Sequence, residues 1–351
     1  MIFLVVIGFI IAIIVVLVLA LLLWVVTSPM PMVRLLRKGF DAPPDYPEGF
    51  EQIKRGVIRH KDRTYPSAYG RNHYDLYVPA TPAEYNRGAD RTGSTAEEKK
   101  LPVIVWVHGG AFVAGSKDGV ENWAASLAHR GFAVAAMDYE WAPEAHWPAQ
   151  VKQIGELCYE LIRQSDNDHL DMNRVIIAGD SAGAHMAAQF ALVHTSPSFV
   201  VASGLEPVLP QGALKAALLY CGPYDISQMA HPKDRMLRFA MSRVGWSYLG
   251  RKHWQNSEEA RLTTIRDFIT KDFPPCYITD GNAHSFDPQG RALADALEQL
   301  GVMVGRRFFD SSAGEVTHEY QFSMSQDNAM LCFNDTLEHL RRCGLYSDIQ
   351  Y

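Results

Sequence analysis

The chain opens on its most one-sided run of hydrophobicity: Met1 to Val26 carry no charged side chain and are almost wholly apolar. A helix rises 1.5 Å per residue, so about 20 apolar residues cross a bilayer core of ~30 Å, and this run is predicted to span with some tilt. A cleaved signal peptide would start basic, have a shorter apolar core and end on small residues. Here no Lys or Arg comes first, and Ile, Val and Leu continue throughout, so residues 1–26 read as an uncleaved anchor. Arg34, Arg37 and Lys38 lie just beyond. The positive-inside rule then puts the N-terminus outside and the rest of the chain in the cytoplasm, at the cell membrane. A secretory anchor with the following domain outside is the competing reading.

After the anchor the pattern changes twice. Residues 27–70 are rich in Pro, Tyr and basic side chains, and are predicted as a linker that packs on the main domain and as a candidate cap segment. From residue 71 onward, short apolar runs alternate with amphipathic ones. Residues 72–78 alternate polar and apolar, as an early strand would. Leu101–Val107, Phe132–Met137 and Arg174–Ala178 are continuous apolar runs of buried-strand type, and further strands are expected at 216–220, 276–279 and 302–309. Helical periodicity falls at 121–130, 151–163, 185–192 and 291–300, while Pro79 to Lys100 is polar and aperiodic, a long surface loop. Strands alternating with helices over 71–351 predict an α/β domain on a doubly wound, mostly parallel sheet, whose ligand sites lie at the carboxyl ends of strands. Residues 225–270 break the rhythm. Met229, Met236, Phe239, Met241, Trp246 and Tyr248 there read equally as a helical cap over the site and as a helix packed on the core.

Composition narrows the function. The 351 residues suit one large α/β domain plus an appendage, and a net charge of −6 argues against a nucleic-acid face. The five cysteines have neither C-x-x-C nor metal-ligand spacing, which suits a reducing compartment and gives no reason to expect a metal. No Gly-rich loop carries a phosphate-binding Lys, which argues against a nucleotide or phosphate role.

Two glycine motifs carry the chemistry. Gly179-Asp180-Ser181-Ala182-Gly183 stands between a predicted strand and a predicted helix. A Gly-x-Ser-x-Gly at such a junction is the nucleophile elbow of α/β-hydrolases: the turn strains the serine, and the glycines make room for it. The next N–H, that of Ala182, would face the oxygen of an attacked carbonyl. His108-Gly109-Gly110-Ala111-Phe112 follows the run ending at Val107, and its glycines let backbone N–H groups approach a ligand oxygen.

Together these motifs resemble the hormone-sensitive-lipase-like esterases, a branch of the α/β-hydrolases, and the resemblance covers about residues 72–340. Asp138-Tyr139-Glu140-Trp141-Ala142-Pro143-Glu144 and Trp147-Pro148-Ala149 between them resemble a further stretch of that family. It implies Ser181 as the acylated nucleophile, an oxyanion hole from the N–H groups of Gly109, Gly110 and Ala182, and His318 as the base. The family often has a third glycine where Ala111 stands. It also has an Asp where His284 stands, so the triad acid is left between Asp280, at a strand end, Asp287, which with Pro288 also reads as a helix start, and an acid supplied from elsewhere or missing.

The expected function is therefore a membrane-anchored serine carboxylesterase on short-chain, acetyl or lipid-like esters, working without metal or organic cofactor. An amidase or formamidase shares the fold and triad. A retired hydrolase acting as a binding protein is the alternative that His284 supports. Members of this branch often pair, so a homodimer is a further expectation.

Overall fold

In a computed structural model, which describes residues 2–39, 45–80, 100–230 and 235–346, the apolar N-terminal run is one helix, α1 (Ile2–Thr27). The window Val5–Thr27 has a mean hydropathy of 3.6 and none of it is buried against the protein, so α1 is long and apolar enough to cross a membrane. Most of its described side chains are exposed, and its contacts with the rest of the protein fall in the last turn, at Trp24 and Val25.

The segment expected as a linker is structured. It holds α2 (Met30–Arg37), α3 (Phe50–Arg55) and the first strand, β1 (Val57–Thr64). β1 gave no sequence signal because it is an edge strand whose residues 59–63 are all charged or His. Its Arg59 is held by fully buried Asp75: Nε donates to Oδ2 at 2.6 Å. Lys117 Nζ reaches the other oxygen of that carboxylate at 2.9 Å.

The remaining strands are β2 (His73–Pro79), β3 (Leu101–Val107), β4 (Ala133–Met137), β5 (Leu170–Asp180), β6 (Leu214–Tyr220), β7 (Cys276–Asp280) and β8 (Val304–Phe308). They form one sheet in the order β1-β2-β4-β3-β5-β6-β7-β8, with β2 antiparallel to both neighbours and every pair from β4 to β8 parallel. The doubly wound, mostly parallel α/β fold is as expected. Most of the loop expected at 79–100 lies outside the described residues.

Alternation along β3 divides the core. Val103, Val105 and Val107 face a layer containing α5 (Ala149–Gln164), α6 (Ala182–Thr195), α8 (Arg235–Leu249) and α10 (Asp287–Gln299). Ile104 and Trp106 face the opposite layer, containing α4 (Glu121–His129) and α11 (Asp327–Arg342). Two short helices, α7 (Pro197–Ser203) and α9 (Glu258–Leu262), complete the first layer. Residues 225–270 are largely helical, but Met229 is buried while Met236 is 78% exposed, so their methionines do not form one lining.

Register fixes the site. Val107 pairs with Gly179, Asp180 with Tyr220, Tyr220 with Thr279, and Asp280 with Phe308. The segments that leave β3, β5 and β7 therefore emerge side by side at the carboxyl edge of the sheet.

Candidate active site

Ser181 sits between β5 and α6 with φ 49°, a left-handed value that a non-glycine residue holds only when its surroundings over-determine it. The glycines on either side supply the room. A Cβ on Gly183 would stand 1.9 Å from the Val107 carbonyl oxygen, and one on Gly179 would stand 2.4 Å from the Gly183 carbonyl carbon. Neither backbone contact has a side chain to give way. The Ser181 N–H donates to Tyr220 O at 2.8 Å, which ties the turn to β6.

His318, in the loop after β8, is brought to the nucleophile: its Nε2 lies 2.9 Å from Ser181 Oγ. Its Nδ1 lies 2.7 Å from Ser285 Oγ, and the Ser285 hydroxyl donates in turn to Asp280 Oδ1. One proton arrangement satisfies all three bonds. Nε2 accepts from Ser181, Nδ1–H donates to Ser285, and Ser285 O–H donates to the Asp280 carboxylate. Burial pushes the His318 imidazole down to about 4, so the ring is a neutral acceptor at neutral pH. Burial pushes the Asp280 carboxyl up to about 7, against the Ser285 hydroxyl, which favours its charged form.

Of the two expected acids, then, the structure brings Asp280 to the histidine, through a hydroxyl. Asp287 is turned away: its two oxygens accept from Arg291 Nε at 3.0 and 2.9 Å in the first turn of α10. Ser285 is the residue that sequence reasoning missed. It stands in a short polar loop without periodicity, and nothing in its type or spacing marks it. His284 occupies the turn just before it, with φ 54°.

The expected oxyanion donors divide. The Gly109 N–H is spent within the protein, donating to Asp180 Oδ2 at 2.7 Å, so it is removed from the expected set. The cause is the orientation of Asp180, whose other oxygen accepts from Trp106 Nε1 at 2.7 Å. The N–H groups of Gly110 and Ala182 meet no acceptor among the described residues, and neither does that of Ala111. Both Gly110 and Ala182 are buried, so their N–H groups need an acceptor from outside the chain, water or ligand. Burial pushes Asp180 up to about 6. Glu319, next to His318, is raised well above the usual carboxylate range by burial and then by Asp180.

Cys221, Asp280 and His318 offer a thiol, a carboxylate and an imidazole within 4.8 Å of one another. They do not fit a metal. Burial raises the Cys221 thiol well above its ordinary value, its S–H donates to Gln321 Oε1 at 3.3 Å, and both His318 nitrogens are engaged. A separate groove of about 370 Å³, lined by Val151, Tyr159, Phe190, Val193 and Val208 among others, carries no residue of this site.

Residues 92–296, more than half of the chain, match the BD-FAE family. The chain belongs to the BD-FAE family. Several of its solved neighbours are esterases, and the architecture shared with them is the α/β-hydrolase fold expected from the resemblance. The structure is similar to esterase B from Lactobacillus Rhamnosis, with a TM-score of 0.70 at 20% identity over 90% of this chain and 95% of that one. It is also similar to a Pyrobaculum calidifontis esterase, with a TM-score of 0.64 at 19% identity over 88% and 93%. A third similar structure, titled bacterial heroin esterase, gives 0.62 at 19% over 83% and 86%. At such identities these likenesses speak for the fold. The family match ends before His318, which the geometry alone brings to the site.

Proposed function

We propose that this BD-FAE member is a membrane-anchored serine carboxylesterase that works through an acyl-enzyme on Ser181. The observation that carries the reading is the 2.9 Å approach of His318 Nε2 to Ser181 Oγ on a strained strand-to-helix turn.

Ser181 Oγ attacks the ester carbonyl carbon while its proton passes to His318 Nε2. The negative charge on the carbonyl oxygen is met by the free N–H groups of Gly110, Ala111 and Ala182, the last at the positive end of α6. The intermediate collapses, the acyl–oxygen bond breaks, and the leaving alcohol takes the proton from Nε2. Water then gives a proton to Nε2, attacks the acyl carbon and releases the carboxylic acid, and Ser181 recovers its hydrogen. Ser285 and Asp280 hold the imidazole in the tautomer that accepts at Nε2.

The substrates are short-chain, acetyl or lipid-like esters. α1 anchors the enzyme in the cell membrane, and the cations at Arg34, Arg37 and Lys38 put the catalytic domain on the cytoplasmic side.

The test is hydrolysis of p-nitrophenyl esters from acetate to decanoate by the full chain in detergent, with Ser181→Ala as the blank. Serine-dependent turnover with a chain-length optimum supports the reading. Turnover that survives Ser181→Ala removes it.

A further inference from the structure

The two helices that touch α1 also touch the turn that follows Gly109 and Gly110. Arg37, at the end of α2, donates from Nε to Val113 O at 2.8 Å and pairs with Glu144, and its guanidinium lies over the Trp141 ring. α2 is thereby pinned to the turn that follows Gly109–Phe112. α8 runs from the membrane helix to the same turn. Near its middle, Arg243 Nη2 donates to Val25 O, on the last turn of α1, at 3.2 Å. At its end, the Tyr248 ring stacks on Phe112 with centroids 3.9 Å apart.

The outer surface of these two helices is unusual for a protein of net charge −6. Leu35 is 64% exposed, Met236 78% and Phe239 38%. α2 and α8 carry no carboxylate, and besides Arg37, which pairs with Glu144, they hold Arg34, Arg235, Arg238 and Arg243. Arg34 lies over the Trp24 ring of α1, and Arg243 over Phe239 and Trp246. Apolar side chains ringed by arginine and tryptophan, directly continuous with a spanning helix, are the chemistry of an interface with anionic lipid.

We propose that the exposed face of α2 and α8 lies on the anionic bilayer surface, with Leu35, Met236 and Phe239 dipped into it. The Ser181 site then receives its esters from the membrane. The substrate class is an acyl ester that partitions into the bilayer, which rests on the esterase reading above. A site whose oxyanion turn is braced by α2 and α8 takes such a molecule across a short path without passing it through bulk water.

The experiment uses the full chain in vesicles of phosphatidylcholine with a minority of phosphatidylglycerol, where α1 holds every variant on the membrane. Met236→Cys, in a Cys343→Ser background because the other four cysteines are buried, takes an environment-sensitive fluorophore. Leu331→Cys on α11, in the opposite layer, is the reference position. The proposal expects the label at 236 to be quenched by a spin-labelled lipid and the label at 331 to stay bright. Equal quenching at both, or none at 236, overturns the surface. In parallel, Met236→Glu/Phe239→Glu should lower hydrolysis of bilayer-dissolved p-nitrophenyl decanoate by about tenfold or more. Hydrolysis of water-soluble p-nitrophenyl acetate should be unchanged. An equal effect on both esters, or none on either, overturns delivery from the membrane. Absence of serine-dependent acetate hydrolysis in the unsubstituted chain would instead defeat the esterase reading, and the quenching result would still decide the surface.

Discussion

Ser285 Oγ lies 2.7 Å from His318 Nδ1, where a Ser–His–Asp triad has a carboxylate oxygen. The acid stands one hydroxyl further back, at Asp280. A hydroxyl in that place can orient the imidazole, but it transmits the carboxylate's charge only in part. Ser285→Ala should therefore lower kcat by about 10²-fold with KM little changed, and Asp280→Asn should do nearly the same. Because the two act through one hydrogen-bonded line, the double variant should lose little more than either single one. Additive losses in kcat would show that Asp280 acts on His318 without Ser285.

Asp287 gives the opposite expectation. Its partner is Arg291, one turn along α10, and the pair is partly exposed. Asp287→Asn should leave kcat within about twofold and cost less than about 1 kcal/mol of stability, measured by thermal denaturation. A loss of activity matching that of Asp280→Asn would put Asp287 in the catalytic line.

The base should work in mildly acid solution. Burial holds His318 near 4, below the ordinary 6.5 of imidazole, so the neutral form that accepts the Ser181 proton persists as pH falls. The kcat/KM for p-nitrophenyl acetate is expected to fall in two steps, a partial loss as the Asp280 carboxylate is protonated near 7 and a final one near 4 as the ring is charged. In Asp280→Asn, which lacks the first step, an acid limb at 6.5 or above would mean that the ring is stabilised in its charged form.

Glu319 and Asp180 make stability itself depend on pH. Burial and the Asp180 charge raise Glu319 well above the usual range, and burial raises Asp180 to about 6. A carboxyl raised on folding binds its proton more tightly in the native state. Its contribution is thus complete below the unfolded value of about 4 and is lost as pH rises through the folded value. Glu319→Gln cannot ionise, so its melting temperature should gain on that of the parent between pH 5 and pH 8. A pH-independent difference would show that the Glu319 carboxyl is already ionised in the folded protein across this range.

How far the sequence announced all this depended on what kind of force held each part. Strands β3 and β4 and the stretch of β5 from Val175 onward were legible because they are buried on both faces and read as apolar runs, whereas the polar first half of β5 was not. Strand β1 was not, because it is held by pairing and by Arg59 on Asp75, with charged residues at an edge. Ser181 was legible for a steric reason. Its turn admits only glycine at 179 and 183, and Gly183→Ala would drive a Cβ into the Val107 carbonyl. His318 followed from its place after the last strand. Ser285 and the loss of Gly109 as a donor depend on where single side chains point, and spacing does not record that. The oxyanion turn is shaped by Asp180, a residue the motif leaves unspecified.

If His318 activates Ser181 as a nucleophile, a fluorophosphonate should react at that serine, and mass spectrometry of the treated full chain reads the modified residue. One adduct is expected, on Ser181, absent from Ser181→Ala and formed far more slowly in His318→Ala. An unmodified Ser181 in folded protein, or an adduct that forms equally fast without His318, would contradict that assignment.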